Sequence, residues 1–135
     1  MTTADLPMAA PLVNAETKPF WDATAEGRLV LPRCDDCGLV IWYPRAICPD
    51  CHSTATTWTE CSGRGRVYSF TVTRRGQGRW GAVTPYVLAY VELDEGPRLL
   101  TNIVGCDPDD VRIDLPVQVA FADTGEGSAL PRFRP

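Results

Sequence analysis

Four of the six cysteines in this 135-residue chain fall in one stretch, CDDCGLVIWYPRAICPDC, from Cys34 to Cys51. The spacing is C-x2-C-x10-C-x2-C, pairing Cys34 with Cys37 and Cys48 with Cys51. A CxxC turn presents both sulfurs on one side, and its backbone N–H groups can point at the thiolates and stabilise their charge. Two such turns facing each other build a tetrahedral S4 site, with metal–sulfur distances of about 2.3 Å for zinc. All four ligands being cysteine leaves no coordination position for water or substrate. The expected cofactor is therefore a structural Zn2+ rather than a Lewis acid, although iron takes the same ligand set in rubredoxins. A redox CxxC follows a strand and opens a helix. Two facing pairs flanked by Pro and Gly read as a metal ribbon instead.

The remaining chemistry-bearing residues give little to catalyse with. His52 directly follows Cys51 and is the only histidine. Four well-spaced thiols make it unnecessary as a ligand, and alone it is a poor base. Cys61 and Cys106 lie in strand-like or turn contexts and are expected to be buried, inert thiols. No G-x-S-x-G, HExxH, Walker loop or paired carboxylate is present, so no catalytic residue and no turnover by the isolated chain are expected. Arg64, Arg66, Arg74, Arg75 and Arg79 share a window without a single acid, while Asp107, Asp109, Asp110 and Asp114 cluster later. Lys18 is the only lysine. Arginine suits bidentate contacts to phosphate or carboxylate, but a GC-rich genome produces the same bias.

The elements that must position these residues read as mainly β. Residues 1–15 form a loose arm without periodicity, residues 16–55 a helix plus the zinc ribbon, and residues 56–135 a small β-barrel. Thr17 can cap a helix over about 17–27, with Pro19 in its first turn and Gly27 as its stop. RLVLPR (28–33) is a short strand leading into the first CxxC. VYSFTVTR (67–74) alternates, placing Tyr68, Phe70 and Val72 on one face; YVLAYVEL (86–93) is apolar on both faces, as in a central strand. RLLTNIV (98–104) pairs back across the turn DEGP, and PVQVAFAD (116–123) and ALPRF (129–133) complete five strands. Five short strands with Gly-rich bends fit a closed or nearly closed barrel. The glycines of SGRGR (62–66) can bend a long strand or let backbone approach phosphate. DPDDVRID (107–114) sits where an OB-fold often carries a short helix.

An apolar fraction of 44% supports a real core, and the net charge of −4 argues against a general nucleic-acid binder. No apolar run approaches the roughly 18 residues of a membrane span. MTTADLPMAAPLVNAE lacks the basic and apolar regions of a secretory signal. The expected compartment is the cytoplasm, where paired CxxC thiols usually bind metal.

Taken together, FWDATAEGRLVLPRC, the CxxC…YPR…CPDC core, W-x-x-CSGRGRVYSFTV, PYVLAYVELDEGPRLLTNIVG and the final PRFRP closely resemble the acyl-CoA-associated zinc-ribbon/OB-fold family. That family was first catalogued as a domain of unknown function, and the match covers about residues 15–135. The resemblance implies an N-terminal helix, a rubredoxin-like zinc ribbon and a C-terminal OB-fold, with zinc on Cys34, Cys37, Cys48 and Cys51. It also implies an accessory role beside a thiolase-fold enzyme (a thiolase, acyltransferase or aldol lyase acting on acyl-CoA thioesters), in some relatives in steroid side-chain degradation. The partner then carries the nucleophile or base, and the zinc-ribbon protein stabilises the complex and helps border the CoA site. The five arginines are candidates for CoA or anion contact, or a solvated face that pairs with a partner's acids.

Three aromatic groups are candidates for the partner interface: Phe20 with Trp21, Trp42 with Tyr43, and Trp80. The alternative is that all three cover the seam between ribbon and barrel. The main rival function is single-stranded nucleic-acid binding, because RGRVYSFTVTRRGQGRW (64–80) interleaves Arg with Tyr68, Phe70 and Trp80 as a stacking groove would. Rubredoxin-like electron transfer is a further alternative and predicts a red iron protein.

Overall fold

The computed structural model describes residues 6–135. The first helix, α1, runs from Lys18 to Ala25 with Pro19 in its first turn. Its end follows from Gly27, whose φ of +75° only glycine adopts at low cost. Gly27 N–H bonds Thr24 O and Arg28 N–H bonds Ala23 O, the double bond of a Schellman stop. Thr17 is not the side-chain cap its type suggests. Its hydroxyl accepts from Asn14 N–H at 3.2 Å, so it closes the turn before the helix.

Strands β1 (Val30–Cys34) and β2 (Thr56–Glu60) pair antiparallel, with Cys34 opposite Thr56. β2 reads with the barrel by composition but belongs to the ribbon sheet. The barrel proper comprises β3 (Arg64–Thr73), β4 (Tyr86–Leu93), β5 (Arg98–Ile103), β6 (Pro116–Asp123) and β7 (Ala129–Arg134). It closes in the order β3-β4-β5-β7-β6, with β3 pairing both β4 and β6. A four-residue helix, α2 (Gly78–Gly81), sits between β3 and β4, and a 3-10 turn at Pro108–Asp110 falls within the predicted interruption.

Closure explains the glycines of SGRGR. Gly65 faces Leu93 on one side and Val117 on the other, and a Cβ there would run into the Glu92 carbonyl. A Cβ on Gly63 would come within 2.6 Å of Val119. These glycines let strands meet; nothing in their surroundings marks a phosphate cradle.

The predicted alternation of β3 breaks at a bulge between Val67 and Ser69. Val67 turns inward and is fully buried, while Tyr68 turns outward and lies under the Arg98 guanidinium at 3.8 Å. Tyr68 and Phe70 therefore do not share a buried row. Val67, Val87, Val91, Leu99, Ile103 and Phe133 fill the barrel, and Phe20, Trp21, Leu29 and Leu31 extend the same core under the helix and ribbon. Within the expected loose arm, residues 1–5 lie outside the described residues. The part that follows is held: Leu6 is buried and Pro7 O accepts from the buried Arg132 at 2.8 Å.

Candidate metal centre and docking surface

The Sγ atoms of Cys34, Cys37, Cys48 and Cys51 all lie within 4.8 Å of one another. Cys34 approaches Cys51 at 3.5 Å and Cys37 approaches Cys48 at 3.6 Å. A zinc tetrahedron with arms of about 2.3 Å has edges of about 3.8 Å, so the donor set fits. The two knuckles repeat one hydrogen-bond scheme. Gly38 N–H bonds Cys34 O and Cys34 N–H bonds Leu39 O; likewise His52 N–H bonds Cys48 O and Cys48 N–H bonds Ser53 O.

That repeat accounts for His52. Gly38 has φ +80° and His52 has φ +65°, so the histidine fills the left-handed position that glycine fills in the first knuckle. It is a turn residue, and it joins no metal-ligating group among the described residues. The knuckle backbone also tunes the sulfurs. The N–H of Cys37, together with that of Asp36, brings the Cys34 thiol down to about 7 against the effect of burial. For Cys37 the Leu39 N–H pulls down, but burial and the neighbouring Cys48, Cys34 and Cys51 prevail and push it up to about 12. Four sulfurs this close cannot all ionise unaided, and a dication lets them do so. Cys34, Cys37, Cys48 and Cys51 thus would hold one Zn2+ in a closed structural site.

Of the two other thiols expected to be buried, Cys61 is buried and Cys106 only half-buried. Burial first, then the Glu95 and Glu60 carboxylates, push Cys61 up to about 12. Burial likewise raises Cys106. A raised acid pKa favours the neutral thiol of the fold. The Cys61 contribution to stability is therefore intact below the unfolded thiol value of about 9 and lost as pH rises from there toward 12. Iodoacetamide at pH 8 is expected to leave Cys61 unmodified in the native zinc protein and to label it fully after unfolding with chelator, read by peptide mass. Rapid native labelling at Cys61 contradicts this.

The arginine window is free of acids in sequence but not in space. Arg64 approaches Asp94 at 3.8 Å, Arg66 reaches Glu92 at 3.0 Å and Asp114 at 3.8 Å, and Arg74 reaches Asp109 at 3.3 Å. Exposed pairs of this kind stabilise little, but they occupy the guanidiniums. Hydrogen bonds from Arg66 and Arg98 hold the Glu92 carboxyl below its usual range. Nor do the five arginines share a face, since Arg64 and Arg74 are separated by about 30 Å of extended strand. Arg75 and Arg79 have no carboxylate partner among the described residues.

The aromatic candidates divide. Phe20 is fully buried and so not available as a partner anchor in this chain, while Trp21 is 7% exposed and borders the cleft between ribbon, α2 and barrel. The cause is packing on both sides. Phe20 stands edge-on to Trp21 at 4.7 Å and to Trp42 at 5.5 Å, and Trp21 Nε1 donates to Tyr43 Oη at 2.8 Å. Trp42 is half-buried against the core, and Tyr43 keeps 38% exposure. Trp80, half-buried beside Tyr86 at 4.8 Å, is carried by α2. Trp21, Trp42, Tyr43, Trp80, Leu130 and Arg79 converge on a cleft of about 410 Å³ between ribbon, α2 and barrel. Tyr68, Phe70 and Trp80 form no stacking row, because Tyr68 is taken by Arg98 and Trp80 by Tyr86. No helix among the described residues is long and apolar enough to cross a membrane.

Sequence reading missed the outward side chains of the barrel. Leu88, Tyr90 and Leu100 are 38%, 45% and 54% exposed. The signal was present in YVLAYVEL. In a closed barrel only one face of a strand is inside, so a strand apolar on both faces has an apolar exterior.

An S4 ribbon of two CxxC knuckles joined to a closed five-stranded barrel defines a zinc-ribbon/OB-fold protein. Family models match on both parts: the rubredoxin-like zinc ribbon domain of ChsH2 over residues 21–57 and the C-terminal OB-fold domain of ChsH2 over residues 58–122. The chain belongs to this ChsH2-type zinc-ribbon/OB-fold (DUF35) family. It is 37% identical over 93% of its length to a probable enoyl-CoA hydratase alpha subunit of Thermomonospora curvata, of which it spans only 39%. It is 38% identical over 69% of its length to a DUF35 domain-containing scaffold protein of Methanocaldococcus jannaschii, covering 67% of it. A benzoylsuccinyl-CoA thiolase subunit BbsA of Thauera aromatica is 33% identical, with 84% of this chain and 81% of that one covered. Among solved structures, a chain of the Ltp2-ChsH2(DUF35) aldolase superposes with TM-score 0.80 and 37% identity, covering 93% of this chain and 98% of that one.

Proposed function

We propose that this chain is a non-catalytic accessory subunit that binds and stabilises a cytoplasmic thiolase-superfamily enzyme acting on acyl-CoA thioesters, in lipid or steroid side-chain degradation. The observation that carries the reading is the division of its surface. The only metal-holding cluster of His, Cys, Asp or Glu among the described residues is the four knuckle thiols. An aromatic cleft takes Trp42 and Tyr43 from between the knuckles and Trp80 from α2. Among the described residues no base–nucleophile pair is formed, but the aromatic and arginine anchors that dominate interface hot spots are present. The names of similar proteins, a thiolase subunit and an aldolase complex, support the same partner class. Arg79, at the cleft and without a carboxylate partner among the described residues, is the arginine of the five best placed to meet an anionic group of CoA at the shared boundary.

The test is co-expression with a thiolase-superfamily subunit from the same organism. The pair is expected to co-purify and to turn over acyl-CoA, while the isolated chain hydrolyses, thiolyses or cleaves none. Turnover by highly purified isolated chain, lost on a point substitution within it, overturns the non-catalytic reading. Trp80→Ala is expected to leave zinc content and melting nearly unchanged and to weaken capture at least tenfold, or ~1.4 kcal/mol. Trp42→Ala is expected to lower melting as well, because its ring packs on Phe20.

A further inference from the structure

The outer surface of β3, β4 and β5 carries an apolar face that the fold itself does not cover. Along β4, Val87, Ala89, Val91 and Leu93 point into the barrel and are buried, while Leu88 and Tyr90 point out. Tyr90 lies opposite Leu100 on β5 and Ser69 on β3. With Phe70 they border a shallow hollow of about 250 Å³. Contiguous exposed apolar surface on a small domain marks a place where something docks.

This hollow is not separate from the aromatic cleft. Leu100 lines both, so ribbon, α2 and barrel exterior present one continuous surface. Its charge is paired at both ends of β3, where Arg74 also meets Asp109, and an arginine without a carboxylate partner among the described residues stands at the cleft. The ion-paired residues Arg64, Arg66, Glu92 and Asp94 lie at the closure end of β3. At the cleft stands Arg79, and Arg75 follows the other end of β3, both without carboxylate partners among the described residues. A second copy docked two-fold on this surface would present the same cations to it. A partner with an acidic rim satisfies them instead.

We infer that this continuous surface, cleft plus β3–β4–β5 exterior, seats the thiolase-fold subunit, which meets it with apolar side chains ringed by carboxylates. The inference rests on the accessory-subunit reading above and adds the face and the chemistry of the partner. The experiment measures capture of the purified thiolase-superfamily subunit that co-purifies with this chain, using full-length zinc-loaded protein. Tyr90→Ser and Leu100→Ser are expected to weaken capture at least tenfold with melting unchanged, and Leu88→Ser substitutes for either variant that folds poorly. Arg79→Glu is expected to weaken it comparably and to flatten its salt dependence, whereas Arg64→Glu, at the ion-paired end, leaves affinity within about twofold. Undiminished capture by folded Tyr90→Ser, Leu100→Ser and Arg79→Glu overturns the inference while leaving the functional reading intact. Self-association of the chain by light scattering, abolished by Leu100→Ser, assigns the face to a second copy and also overturns it. Failure of the wild-type chain to capture the subunit at all overturns the functional reading and this inference with it.

Discussion

Cys37→Ser is expected to give a chain that holds no zinc and whose residues 30–52 lose their structure. Around the knuckles the buried cluster is only Cys34, Ile41 and Cys48, while Leu31, Val40 and Trp42 lean on the common core. Structural zinc contributes on the order of 10–16 kcal/mol of apparent binding energy in small domains, against a typical whole-domain stability of about 5–15 kcal/mol. Serine cannot replace the lost ligand, because its hydroxyl stays protonated where a thiolate forms. The damage spreads, because Trp42 and Tyr43 between the knuckles pack on Phe20 of α1. Elemental analysis should read one zinc per wild-type chain and none in the variant, with the amide resonances of residues 30–52 collapsing to unfolded positions. Chelation of the wild type should reproduce both changes. His52→Gly, at a position of φ +65°, should keep its zinc, which separates the turn role from a ligand role. Soluble, fully folded Cys37→Ser without metal, or metal-free wild type with an intact ribbon, contradicts the account.

The metal centre was legible because ligand chemistry is local. Four thiols at fixed spacing define a tetrahedron before any tertiary contact is known, and the structure brings Cys34, Cys37, Cys48 and Cys51 together as expected. The five barrel strands were legible for a related reason, as alternation and turn residues act over a few positions. What failed depended on partners distant in sequence. The arginine window contains no acid, yet Glu92, Asp94, Asp109 and Asp114 arrive across strands or from the 3-10 turn. β2 looks like barrel until β1, with Val30 facing Glu60, claims it. Tyr68 read onto one face with Phe70 and Val72 because a one-residue bulge, which flips every side chain after it, leaves no mark on the pattern. Exposure was the hardest property to read. Phe20 and Trp21 occupy adjacent helical positions that a lone helix could not bury together; here ribbon and barrel close over them from two sides.

That double burial makes Phe20→Ala the substitution with the largest expected cost outside the metal centre. α1 packs on β1 of the ribbon and on β7 of the barrel, and Thr24 Oγ1 accepts from Ala129 N–H at 3.0 Å to fix it to the latter. Phe20 is the fully buried ring at that junction, edge-on to Trp21, Trp42 and Tyr43. Truncating such a ring to alanine removes its transfer energy and leaves a cavity that rigid neighbours cannot fill, about 3–5 kcal/mol in all. For a chain of this size the melting temperature should fall by roughly 10–20 °C. Zinc content should stay at one per chain, because the knuckles do not use the ring. Capture of the thiolase-fold subunit, measured well below the variant's melting point, should stay within about threefold of wild type, less than half the ~1.4 kcal/mol of a tenfold loss. An anchor that reached the partner would give the opposite pair of results: melting preserved and capture lost. That outcome would place Phe20 on the surface of the assembled complex and require α1 to leave the junction on binding.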